Sequence, residues 1–131
     1  MSVINDVLLA VIDMAQDTDP YADITIGALP ADNGICCAIS TGAADAPFLD
    51  RGCSYELSLV LNGKHYDQQT VSDALNDIHQ ALTQTKTYPK TDAYQITNIE
   101  TASGPTYIGR EENKQYLYGS SLRVRFYFRK G

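Results

Sequence analysis

The sequence predicts an α+β domain: one antiparallel or mixed β-sheet with two α-helices packed on one face. Three observations carry this reading. Residues 122–129 alternate strictly, with Leu122, Val124, Phe126 and Phe128 in one phase and Arg123, Arg125, Tyr127 and Arg129 in the other. Period-two alternation buries one set and leaves the other in water, so this run should be a central strand of a half-solvated sheet. Two other stretches carry apolar residues at three- and four-residue spacing, the mark of amphipathic helices. These helices are separated by strand-like pairs rather than by regular strand–helix alternation, which suits α+β architecture. At 131 residues the chain, 1–131, is long enough for one domain with a single core.

Taken in order, Ser2 can cap a first helix of about four turns. Val3, Ile4, Val7, Leu8, Val11, Ile12 and Ala15 form its stripe, and Asp6 sits near the positive helix end. Pro20 stops the helix and should bias Asp19 to extended geometry. Ile24 and Ile26 mark a short strand ended by Gly27. The turn residues of 29–34 then lead into a second strand at 35–41, so 23–41 reads as a β-hairpin. Residues 42–52, rich in Ala, Gly, Asp and Pro, read as an exposed loop. Alternation returns at 53–61 with Tyr55, Leu57, Leu59 and Leu61, and Asn62-Gly63 should close that strand.

A second helix starts between Asp67 and Thr70, both good capping residues. Its stripe is Val71, Ala74, Leu75, Ile78, Ala81 and Leu82, and residues 83–92 form a polar connector with Pro89 as a stop. Residues 94–101 open the last sheet segment, Gly104-Pro105 makes a turn, and 109–115 is a charged loop before the final strand.

The net charge is −6 and unevenly placed. Residues 1–60 hold nine acidic residues against one arginine, a balance of −8, and the remainder holds nine basic against seven acidic, or +2. Such a chain lacks the basic face that grips nucleic acid by its phosphates. The apolar run near the N-terminus is far short of a membrane-spanning helix and lacks the basic flank of a secretory signal, so a cytoplasmic location is expected. Cys36, Cys37 and Cys53 have no metal or redox spacing and read as reduced, buried small apolar residues.

Neither histidine has ligand spacing. His79 reads as a satisfied surface or boundary side chain, and His65, just before the second helix, as a capping or conformational residue. No phosphate loop, nucleophile elbow or nucleophile–base pair is present, so no enzyme, cofactor or metal site is expected. The sharpest local feature is the row Arg123, Arg125 and Arg129, either a ladder meeting acidic partners or a solvated, charge-protected strand face. With Arg110 of the charged loop and Tyr107 before it, these are the candidate residues of a subunit or partner interface.

Several pieces of the chain carry a family likeness: the helix 74–82 (ALNDIHQAL), Gln95-Ile96 with Ile99-Glu100, Pro105, Tyr107-Ile108-Gly109, Asn113, and Tyr118-Gly119-Ser120-Ser121 before the alternating strand. Together they resemble the small minor capsid or tail terminator proteins of tailed phages and prophages of Gram-positive bacteria. The resemblance implies a structural protein rather than a catalyst. It implies an α+β subunit assembling as a homohexameric ring on the head-proximal end of the tail tube. Such a ring stops polymerisation of the tube protein and docks the head connector protein, while DNA passes through the lumen without specific binding. It further implies assembly in the bacterial host cytoplasm and a final place in the virion tail or neck. Closure of such a ring needs two different, complementary surfaces on one subunit. Two alternatives stand beside it: another neck component (a head-closure or adaptor protein), and a small ligand- or RNA-binding domain of ferredoxin-like type. The sheet lacks the aromatic-and-basic pattern of the RNA-binding kind.

Overall fold

Strand length and helix periodicity set the element order. The computed structural model describes residues 3–30, 32–47, 52–85, 87–88, 90–91 and 94–129. The elements are α1 (Val3–Gln16), β1 (Ile24–Ile26), β2 (Gly34–Pro47), β3 (Gly52–His65), α2 (Gln68–Gln84), β4 (Tyr94–Arg110) and β5 (Tyr116–Arg129). They form one mixed five-stranded sheet of order β1-β2-β3-β5-β4 with both helices on one face.

The expected central strand is β5. Leu122, Val124 and Phe126 are buried under the helices and Phe128 packs partly against them. β3 pairs with β5 from Gly52↔Arg129 to His65↔Tyr116 without a register shift. Opposite Leu122 and Val124 stand Leu59 and Leu57, both fully buried. Each such side chain contributes about 1.5–3 kcal/mol through burial, so this pair of strands is the spine of the fold.

α1 buries Val7, Leu8, Val11 and Ala15; the expected Ser2 cap lies outside the described residues. Asp19 is not extended as expected. Its φ is 59°, and its N–H donates to Gln16 O at 3.0 Å while Thr18 N–H donates to Ala15 O. A left-handed residue that returns amides to the last helical carbonyls is a common way to end a helix, and here it overrides the bias from Pro20.

At α2 the competing start signals are settled. Asp67 is the N-cap, its carboxylate accepting from Gln69 N–H, and Thr70 donates its hydroxyl to the same carboxylate at 2.7 Å. Val71, Ala74, Leu75, Ile78 and Leu82 are buried as expected, whereas Ala81 is exposed and His79 is buried in its stead. Tyr88 donates to Leu82 O at the helix end; Pro89 lies outside the described residues.

Four expectations about the strands are corrected. β1 and β2 are parallel, with Ile24 beside Ile35 and Ile26 beside Cys37, not a hairpin. A three-residue strand spans only about 10 Å, so the short segment 27–33 can carry the chain back to run β2 in the same direction. Gly27 (φ 88°) and Asn33 (φ 37°) make the bends. Residues 42–47 are strand rather than loop, paired with β3 as far as Pro47↔Cys53; 48–51 lie outside the described residues.

Asn62-Gly63 does not close β3. Gly63 is needed where α2 comes close, since a Cβ there would stand 2.8 Å from Val71 Cγ2. Gly104-Pro105 lies within β4, at a register shift between Ser103 and Thr106. Proline is tolerated there because β4 is an edge strand.

Candidate subunit interface

The face of the sheet opposite the helices carries a cross-strand charge ladder. Alternation along β5 turns Arg123 and Arg125 away from the core, and strand register brings Glu56 of β3 opposite Arg125 and Glu100 of β4 opposite Arg123. Arg123 Nε is 3.1 Å from Glu56 Oε1 and its Nη1 is 3.0 Å from Glu100 Oε1, while Arg125 Nη2 is 2.9 Å from Glu56 Oε2. These groups are part-exposed, so each pair contributes little, about 0–1 kcal/mol. Their effect is to set the sheet's bare face with alternating rather than one-signed charge.

The five candidate residues do not form one cluster. Arg123 and Arg125 share the bare face. Arg129 ends β5 opposite Gly52, and its side chain lies outside the described residues. Tyr107 and Arg110 sit at the far end of β4. Tyr107 is half exposed and its ring lies 5.8 Å from Tyr118 and 6.4 Å from Tyr116. The Arg110 guanidinium stands 5.0 Å over the Tyr116 ring, a cation–π contact. The sequence alone does not pair Glu56 and Glu100 with the arginine row. Both lie in alternating stretches in outward phase, but the register that joins them is set by long-range pairing.

A second polar group lies under α2. His79 is 5% exposed, not a boundary residue. Its Nδ1 is 2.8 Å from Thr101 Oγ1 on β4 and its Nε2 is 2.7 Å from Ser120 Oγ on β5. Ser120 in turn donates to Leu61 O on β3 at 3.2 Å. Every group is satisfied when Nε2–H donates to Ser120 and Nδ1 accepts from Thr101. Burial lowers the His79 pKa, which favours this neutral form. A hydroxyl beside an imidazole resembles a nucleophile–base pair, yet Ser120 is itself 5% exposed and the third group is a hydroxyl, not a carboxylate. The arrangement ties one helix to three strands.

A third polar knot closes the sheet end. Gln115, fully buried, accepts from Asn33 N–H at 2.6 Å and donates to Asp32 at 3.4 Å. Buried Lys64 meets Glu111 at 3.3 Å. His65 Nδ1 accepts from Asp67 N–H at 2.9 Å, a conformational role at the approach to the helix, whose cap is Asp67. Cys36 and Cys37 are buried and free, and burial pushes the Cys37 thiol up to about 12; the side chain of Cys53 lies outside the described residues. Among the described residues no three His, Cys, Asp or Glu are placed to hold a metal ion, and no helix is long and apolar enough to cross a membrane.

No family model matches the chain, and no curated protein does. Among solved structures it is similar to a chain of the virion of native gene transfer agent (GTA) particle. That match has a TM-score of 0.62 at 12% sequence identity and covers 90% of this chain and 92% of that chain. The likeness is one of fold, and it runs through nearly the whole of both chains.

Proposed function

We propose that this chain is a structural protein of a phage-like particle and, within it, the tail terminator. As such it forms a ring on the head-proximal end of the tail tube, stops tube growth and presents the surface on which the head connector docks. The observation that supports the reading most is the near full-length fold likeness to a chain of a gene transfer agent virion. The motif resemblance of the C-terminal half narrows it to the terminator. The partners are further copies of the chain in a homohexamer, the tube protein and the connector protein, with DNA passing through the lumen. A net charge of −6 suits a conduit that does not retain its passenger. Arg123, Arg125, Arg129, Arg110 and Tyr107 are the proposed contact residues; the alternating charge of the ladder would fix the register of a partner more than its affinity.

Deletion of the gene from a parent phage or inducible prophage, followed by negative-stain electron microscopy of the lysate, tests this. Overlong headless tails beside filled heads are expected. Tails of normal length beside heads that fail to join or to hold DNA would assign the chain to head closure or adaptation, and normal particles would overturn both.

A further inference from the structure

Both outer strands of the sheet leave backbone hydrogen-bonding groups without a strand partner among the described residues. β1 covers β2 only at Ile35, Cys36 and Cys37, with one further bond from Gly27 N–H to Cys37 O. The rest of β2, residues 38–47, has β3 on one side alone. On the other edge, Lys90 bridges β4 at Gln95, and residues 98–110 have β5 on one side alone. An open strand edge is a template for another strand, and proteins that avoid such pairing blunt the edge with bulges or charge.

The bulges here are placed with gaps. In β2 the register shifts fall between Ile39 and Thr41 and between Ala44 and Ala46, leaving 41–44 regular. In β4 there are four, and the first two, between Ile96 and Asn98 and between Thr101 and Ser103, leave 98–101 regular. These two windows lie at the same height. One row across the sheet runs Ala43, Glu56, Arg125, Asn98, the next Gly42, Leu57, Val124, Ile99, and the one after it Thr41, Ser58, Arg123, Glu100.

We propose that successive copies of the chain join edge to edge, residues 41–44 of β2 in one copy pairing with residues 98–101 of β4 in the next. The inference rests on the ring reading above and names its joint. Strand polarity supports it. β2 to β3, β3 to β5 and β5 to β4 are each antiparallel, so β2 and β4 of one copy run in opposite directions. A head-to-tail repeat that keeps each copy's orientation therefore sets β2 against the neighbour's β4 as an antiparallel pair, and the sheet continues from copy to copy. The joint is heterologous, the type that forms a ring where the rotation between copies closes.

Apolar groups flank both edges on the helix-bearing side. Ile26 and Ile39, 58% and 39% exposed, stand along the β2 edge, and Leu9, 48% exposed, stands beside Tyr94 at the β4 edge. The bulges outside the two windows restrict pairing to a partner that matches them.

Cysteine cross-linking of the full chain tests the joint. In a Cys53→Ser background, Ala43→Cys is combined with Asn98→Cys, and a second variant combines Thr41→Cys with Asn98→Cys to cover a two-residue shift of register. Directly opposed residues of an antiparallel pair lie about 4.5–5.5 Å apart at Cα, within disulfide reach. After mild oxidation, one double variant is expected to give a ladder of dimers, trimers and larger species on a non-reducing denaturing gel, while each single variant stays monomeric. Dimers from a single variant would show an edge pairing with itself and overturn the head-to-tail joint. So would a chain that gives no cross-link in either double variant, whether light scattering finds it monomeric up to its solubility limit or assembled. The joint and the terminator reading fail separately. A ladder with normal particles in the deletion lysate keeps the joint and removes the function; overlong tails without a ladder do the reverse.

Discussion

Removing the Ser120 hydroxyl should cost more stability than removing the Thr101 hydroxyl, although each takes one hydrogen bond from His79. Ser120→Ala withdraws the acceptor from His79 Nε2–H and the donor from Leu61 O, at a site where His79 and Ser120 are both 5% exposed. Leaving a buried polar group unpaired costs about 1–3 kcal/mol, and the closed surroundings put this variant near the upper end. Thr101→Val withdraws the donor from Nδ1, but Thr101 is exposed and water can take its place, so about 1 kcal/mol or less is expected. His79→Ala adds the lost volume to both bonds and should cost about 3–4 kcal/mol.

Urea unfolding at pH 8, followed by far-UV circular dichroism, reads these as shifts of the midpoint at constant slope. The pH dependence follows from the lowered His79 pKa. Above the ordinary histidine value of about 6.5 both folded and unfolded forms are neutral and His79 imposes no penalty. As pH falls below that value the unfolded chain binds a proton that the fold resists, so stability declines until the lowered folded value is reached and is level below it. His79→Gln should remove that limb. Equal costs for Ser120→Ala and Thr101→Val, or an unchanged acid limb in His79→Gln, would refute the account of the cluster.

Glycine substitutions separate close approach from free space. Gly63→Ala sets a Cβ 2.8 Å from Val71 Cγ2 and 3.1 Å from the Tyr21 hydroxyl, and should lower the urea midpoint by the equivalent of about 1–3 kcal/mol. Gly104→Ala meets nothing within 4 Å and should leave the midpoint within about 0.5 kcal/mol of the parent. Glu56→Gln takes the shared carboxylate from Arg123 and Arg125, with a loss of about 1 kcal/mol or less that shrinks as salt is added. In a Cys53→Ser chain, Cys36 and Cys37 are buried and should resist a thiol reagent at neutral pH until the chain unfolds, because the reactive thiolate is suppressed; prompt native-state labelling would contradict their placement.

How much of this was legible depends on how local each signal was. β5 and both helices could be read because their periodicity lies within one run of residues, and Asp67 could be read as one of two candidate caps, with Thr70, because capping is a contact between near neighbours. The direction of β1 could not, since three residues carry no polarity signal and the return loop decides it. Residues 42–47 have the composition of a loop and become strand only because β3, itself held by β5, offers them a partner. Gly63 looked like half of a turn dipeptide, yet its role is set by Val71 and Leu75 of α2 packing above it. Of the candidate interface, the arginine row was plain from alternation, but Glu56 and Glu100 meet it only through the strand order β3-β5-β4. The two mates of His79 were hidden for the same reason: Thr101 and Ser120 come from two strands that register alone aligns under the helix.

The terminator reading makes a claim about place, and labelling tests it most directly. Gold-conjugated antibody against this chain, applied to purified particles and to isolated tails, should mark one end of the tail tube, the end that meets the head. Label over the capsid shell, at the distal tip, or absent from intact particles and isolated tails alike would contradict the account.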